Sequence, residues 1–195
     1  PILCADLSYR PAGALCIGDR LVGFTDTLTD PRLQESVVTA SQPIQRPCYE
    51  ITTESRKVIA SADHPWLVAK PDNHSAETHS RKRWQTSEHL ALGDKIVALP
   101  VWAWNRSWKS GYLAGFFNGE GALVRHKNQR ILSAYQVVGA VFDDLQEKMR
   151  VLGFKFAIDT RQRNEKHQRA GSVVLRGGWT EILRFLGTVR PSRLL

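Results

Sequence analysis

Two places in the chain carry residues whose types and spacing suit chemistry. Glu120 stands between Gly119 and Gly121, at the end of the apolar run Tyr112–Phe117. Read as a helix over 111–118, that run puts Gly111, Ala114, Gly115 and Asn118 at spacings of three and four, on one face. A face of such small residues admits another backbone at close range. Two helices paired in this way would bring acidic side chains to one spot, and carboxylates gathered there bind a divalent cation that polarises a phosphate or acidifies a water. The alternative is a core helix closed by a glycine cap, with Glu120 on a solvated turn. The second place is Ser61-Ala62-Asp63-His64, which sets a hydroxyl, a carboxylate and an imidazole within four residues. Its alternative is a histidine in a turn before Pro65.

The composition narrows the partners. At 195 residues the chain is long enough for one large domain or two small ones, and 42% hydrophobic content is that of a globular protein. The 27 Lys and Arg against 19 Asp and Glu leave a net charge of +8, which favours a polyanionic partner, nucleic acid first. Three cysteines with no Cys-x-x-Cys suggest neither a disulfide framework nor a zinc site. No long apolar run and no leader pattern are present, so the expected place is the reduced cytoplasm, with access to DNA and no membrane partner.

The elements that must position these residues fall into two textures. Residues 1–100 hold short β-like runs: a hairpin signal around Gly18-Asp19, then runs at 36–41, 48–53 and 57–60. Residues 71–83 are polar and charged, which predicts a loop. Leu15-Cys-Ile-Gly-Asp-Arg-Leu-Val22 and Leu90-Ala-Leu-Gly-Asp-Lys-Ile-Val97 repeat one pattern, Leu-x-x-Gly-Asp-basic-apolar-Val, so an all-β module with internal pseudo-symmetry is expected. Residues 101–109 form a linker with three tryptophans, which either pack or stack on bases. From 110 to 195 the pattern predicts a helix at 111–118, strands at 122–126 and 131–138, a helix at 141–152 capped by Gly153, strands at 154–161 and 172–176, and a helix at 179–186. The expected fold class is thus a mainly β domain followed by an α+β domain of order αββαββα.

Two resemblances follow from these residues. Leu113-Ala-Gly-Phe-Phe-Asn-Gly-Glu-Gly121 resembles the signature of the LAGLIDADG homing endonucleases, with Glu120 at the acid that binds metal and Asn118 at an earlier, often acidic position. Residues 1–100 resemble the Hint fold of inteins and hedgehog autoprocessing domains, with Ser61, Asp63 and His64 at its histidine motif. The first resemblance implies a homodimer, because only one motif is present, and the helix of Gly111, Ala114, Gly115 and Asn118 as its axis. It also implies Mg²⁺ held by Glu120, double-stranded DNA as substrate, and Gln136 near an attacking water. Arg176 or Lys148 would complete the site. A four-stranded saddle laid in the major groove would use Arg125, Lys127, Arg130, Arg161, Arg163, Lys166, Arg169 and Arg176, with His126 and His167 beside them.

The second resemblance implies an intein-like arrangement in which splicing is absent. Pro1 is no nucleophile, and Cys4 reads as a buried strand cysteine rather than the attacking thiol. The expected function is metal-dependent hydrolysis of DNA phosphodiesters as a homodimer. The alternative is a non-cleaving DNA-binding or assembly module derived from a decayed intein, and an autoprocessing protein relying on Cys4 ranks last. Positive charge at Arg81, Lys82 and Arg83 suggests a second DNA contact in the first half.

Overall fold

The computed structural model describes residues 1–25, 33–54, 56–70, 81–127, 129–161 and 168–195. The chain divides into two compact units: residues 1–12 with 100–195, and residues 13–99. In chain order, β1 (Ile2–Leu3) and β2 (Tyr9–Arg10) form a small antiparallel pair. The middle unit follows with β3 (Arg20–Phe24) and β4 (Leu33–Val37), then β5 (Cys48–Thr52) and β6 (Lys57–Ser61), each a hairpin pair. Its last sheet has β7 (Pro65–Lys70) between β8 (Arg81–Thr86) and β9 (Lys95–Ile96). The chain then runs α1 (Trp108–Glu120), β10 (Gly121–His126), β11 (Gln129–Val137), α2 (Ala140–Val151), β12 (Phe156–Arg161), β13 (Ala170–Leu175) and α3 (Gly178–Val189). No helix among the described residues is long and apolar enough to cross a membrane.

The middle unit is β throughout, apart from short 3-10 turns, and three sequence expectations meet it differently. The Gly18-Asp19 turn does not join two strands into a hairpin; β3 pairs with β4 instead. The repeated pattern does recur as geometry. Gly18 and Gly93 sit at φ +93° and +90°, where glycine alone is unstrained. The Asp19 N–H donates to Cys16 O (3.1 Å) and its carboxylate accepts the Cys16 N–H (2.8 Å). Asp94 does the same with Ala91, at 3.1 and 2.9 Å. Of the predicted loop, 71–80 lies outside the described residues, whereas 81–83 begin β8, paired with Val68, Ala69 and Lys70.

The second unit has the expected order αββαββα, with the sheet ordered β10-β11-β13-β12, all antiparallel. Helices cover one face of this sheet. Leu132, Ala134 and Val173 are fully buried there, and a Cβ on Gly171 would strike the Phe142 ring of α2. Leu113 and Phe117 of α1 are fully buried, and Phe117 lies 4.5 Å from Phe185 of α3, ring centre to ring centre. The sequence pattern places residues 1–12 with the first half; here they belong to the second unit. Trp102 explains it. Its indole is buried, donates to Leu7 O at 2.8 Å, meets Tyr9 edge-on, and rests so close on α3 that Gly187 has no room for a Cβ. Cys4 is buried, as expected, ahead of a turn closed by Leu7 N–H to Cys4 O (2.9 Å).

Candidate functional site

The site begins with α1. Ser107 caps it by accepting the Ser110 N–H (3.4 Å). Gly111, Gly115 and Gly119 each cost the helix about 1 kcal/mol relative to alanine, so burial of Leu113 and Phe117 must hold it. These glycines recur every four residues on the exposed side, and nothing lies within 4 Å of a Cβ built on any of them. Ala114 and Asn118 flank this stripe half-buried. Beside it stands an aromatic row, Trp108, Tyr112 and Phe116, with neighbouring ring centres 5.7 and 6.2 Å apart.

Glu120 is the last residue of α1, not a residue beyond its end, and its side chain is exposed with no hydrogen bond or ion pair among the described residues. The helix is not closed by a left-handed glycine. Gly121 has φ −77° and starts β10 directly, and a Cβ there would collide with Phe117 O. Glycine at 121 is therefore a matter of close approach, which lets the strand leave at once and fixes where Glu120 stands. A carboxylate at the negative end of a helix is unfavourable by about 0.3–1 kcal/mol, and a bound cation relieves that.

The donor set is partial within one chain. No group of three His, Cys, Asp or Glu gathers among the described residues. One carboxylate oxygen pair suits a hard cation such as Mg²⁺, which keeps waters and takes phosphate oxygens as further ligands. One Glu120 does not complete such a site, and the remaining ligands would have to come from outside this chain.

Gln136 is not on the open side of the sheet. It pairs with Gly171, on the face toward α2, and its Oε1 accepts the Val137 N–H at 2.8 Å. The open face carries Val124, Tyr135 and Val137, all exposed. Tyr135 directly follows Ala134, the partner of Gly121, so its phenol is an exposed polar group of the open face near the end of α1, beside Ser133 and Ser172. Lys148 is buried at 5% exposure against Trp108 and Tyr112 and pairs with Asp144 (3.3 Å) and Glu147 (3.4 Å). Partial desolvation pulls its pKa down, but the two carboxylates outweigh this and raise it, so it stays an ammonium.

The basic residues lie at the rim. Arg161 is on the open face and pairs with Asp159 at 2.8 Å. Arg176 follows β13 in the same register, exposed. Arg125 and Arg130 oppose one another at the β10–β11 tip, on the helix side of the sheet, and Lys127 forms that turn at φ +52°. Arg169 reaches Thr160 Oγ1 at 2.6 Å, also on the helix side. Arg163, Lys166 and His167 lie outside the described residues. Divided by unit, residues 1–12 with 100–195 hold 17 Lys and Arg against 8 Asp and Glu, +9, whereas 13–99 hold 10 against 11, −1. The charge is not spread over both halves.

The second candidate place is one turn after β6. His64 N–H donates to Ser61 O (3.0 Å), and Asp63 pairs with Arg46. The Ser61 hydrogen bond, and then Arg46, hold the Asp63 carboxyl below its usual range against slight desolvation. The His64 ring is exposed and packs edge-on against Trp66, 4.7 Å away. The three residues are brought together in one turn. Compared with known proteins, the chain matches no family model and no curated protein at significance.

Proposed function

We propose that this chain is a metal-dependent DNA endonuclease of the LAGLIDADG kind, acting as a homodimer, with a splicing-silent Hint-like unit. The observation that carries the reading is Glu120, exposed and without a partner among the described residues at the negative end of a helix whose outward stripe is Gly111, Gly115 and Gly119. Such a stripe lets a second α1 approach to backbone contact, which sets two Glu120 carboxylates side by side. The sharp concentration of positive charge in the same unit supports a polyanionic substrate. When bound, Mg²⁺ would polarise the scissile phosphate and acidify a water. The chain's own part is to hold the ion with Glu120, to place Tyr135 on the DNA-facing floor, and to grip phosphates with the arginine rim.

The alternative, a non-cleaving DNA-binding module, draws on Gln136, whose oxygen is spent on its own backbone. The deciding experiment is sedimentation of the purified chain with and without duplex DNA, followed by Mg²⁺-dependent cleavage of a randomised duplex library. A dimer that cuts supports the endonuclease. A dimer that binds and never cuts supports the binding module. A monomer under both conditions overturns the paired-carboxylate site.

A further inference from the structure

We infer that Arg193 is a positioning residue for Glu120, an inference that rests on the reading proposed above. The segment after α3 turns back at Arg190, held at φ +60°, and at Pro191, which is buried. It brings Arg193 onto carbonyls at the junction of α1 and β10, among them Phe117 O, which already accepts the Gly121 N–H. The guanidinium donates to Asn118 O (2.6 Å), to Phe117 O (3.2 Å) and to Gly121 O. The Arg193 N–H donates to Asn118 Oδ1 (3.0 Å), and Asn118 Nδ2 reaches Ser192 Oγ (3.3 Å).

These carbonyls belong to residues on both sides of Glu120. The planar guanidinium ties the last turn of α1 to the first residue of β10, with Glu120 as the hinge between them. A left-handed glycine, the usual closure, is absent here, and Arg193 takes its place. The same charge lies against the negative helix end, which lowers the cost of the exposed carboxylate. Asn118 thereby has a duty of its own. Both of its polar atoms grip residues 192 and 193, which leaves metal binding to Glu120 alone.

The test uses the full chain with Arg193→Ala and Arg193→Lys. Removing the charge-assisted hydrogen bonds should open the junction, so the Gly121 and Ala122 amides exchange about tenfold faster or more, with α2 amides unchanged. In the cleavage assay kcat should fall about tenfold while KM for DNA moves less than about twofold, since the arginine rim still holds the DNA. Lysine should behave like alanine, because one ammonium does not span three carbonyls. Unchanged exchange, or full recovery by lysine, overturns the inference. Should Arg193→Ala fail to fold, Ser192→Ala removes only the outer hydrogen bond and should still quicken exchange at 118–121; no change there also overturns it. A wild type that cuts no DNA removes the endonuclease reading, yet the exchange measurement still decides whether Arg193 fixes the backbone of Glu120.

Discussion

Glu120 and Glu181 are two carboxylates in the same unit with opposite surroundings. Glu120 has no partner among the described residues and ends a helix where negative charge is unwelcome. Glu120→Gln should leave stability unchanged or slightly raised, retain duplex binding, and abolish Mg²⁺-dependent cleavage; cleavage that survives the substitution would remove the carboxylate from the chemistry. Glu181 is 6% exposed, accepts the Lys155 N–H (2.7 Å) and is gripped by Arg184 at 2.6 and 2.9 Å. Burial alone would raise its pKa, but Arg184 and the Lys155 N–H outweigh burial and hold it below the usual 4.5. A carboxylate depressed on folding stabilises the native state above its unfolded pKa, and that contribution is lost as pH falls through the folded value. Glu181→Gln should therefore cost about 2 kcal/mol in urea unfolding at pH 7 and much less at pH 3. An equal loss at both pH values would show that the charge is idle.

At the scale of the element, α1 explains what was legible in the sequence and what was not. Its glycine spacing and the acid at its end are local patterns, and so is the helix-and-strand order that follows, because periodicity records which face of each element is covered. The helix extends past its predicted ends since Ser107 caps it and the aromatic Trp108 opens the stacked row, contacts that spacing alone does not encode. Gln136 was placed near an attacking water by resemblance alone; which face of the sheet it takes depends on its pairing with β13, which local pattern does not encode. Arg193 left no trace, since its partners at 117–121 lie more than seventy residues away. The glycine stripe makes its own prediction. With open space around Gly115, Gly115→Ala should stabilise the isolated chain by about 1 kcal/mol, whereas Gly115→Leu should keep the fold and leave a monomer in light scattering. A dimer unaffected by leucine would place its interface elsewhere.

For the whole molecule, charge is the property that the linear pattern blurred and the division into units sharpened. A balance of +9 in residues 1–12 with 100–195 and −1 in residues 13–99 assigns DNA binding, on the proposed reading, to the former. Replacing Arg161 and Arg176, the arginines of the open face, with alanine should flatten the log–log salt dependence of duplex binding by about 2, since each phosphate left without its cation removes about 0.9 from the slope. Replacing Lys82 and Arg83 should leave that slope unaltered; a shallower slope would make the second DNA-binding surface real.

The buried indole of Trp102, with Leu7 hanging from its nitrogen, also bears on how the chain is born. Among the partners of residues 1–12 are Trp102, Pro100, which accepts from Tyr9 at 3.0 Å, and Arg190, which donates to Asp6 O at 2.8 Å. Residues 1–12 thus leave a ribosome before any of these partners exists, and the whole of 13–99 must be synthesised while that segment waits. A segment made early can therefore dock only after Pro100, Trp102 and Arg190 have been made.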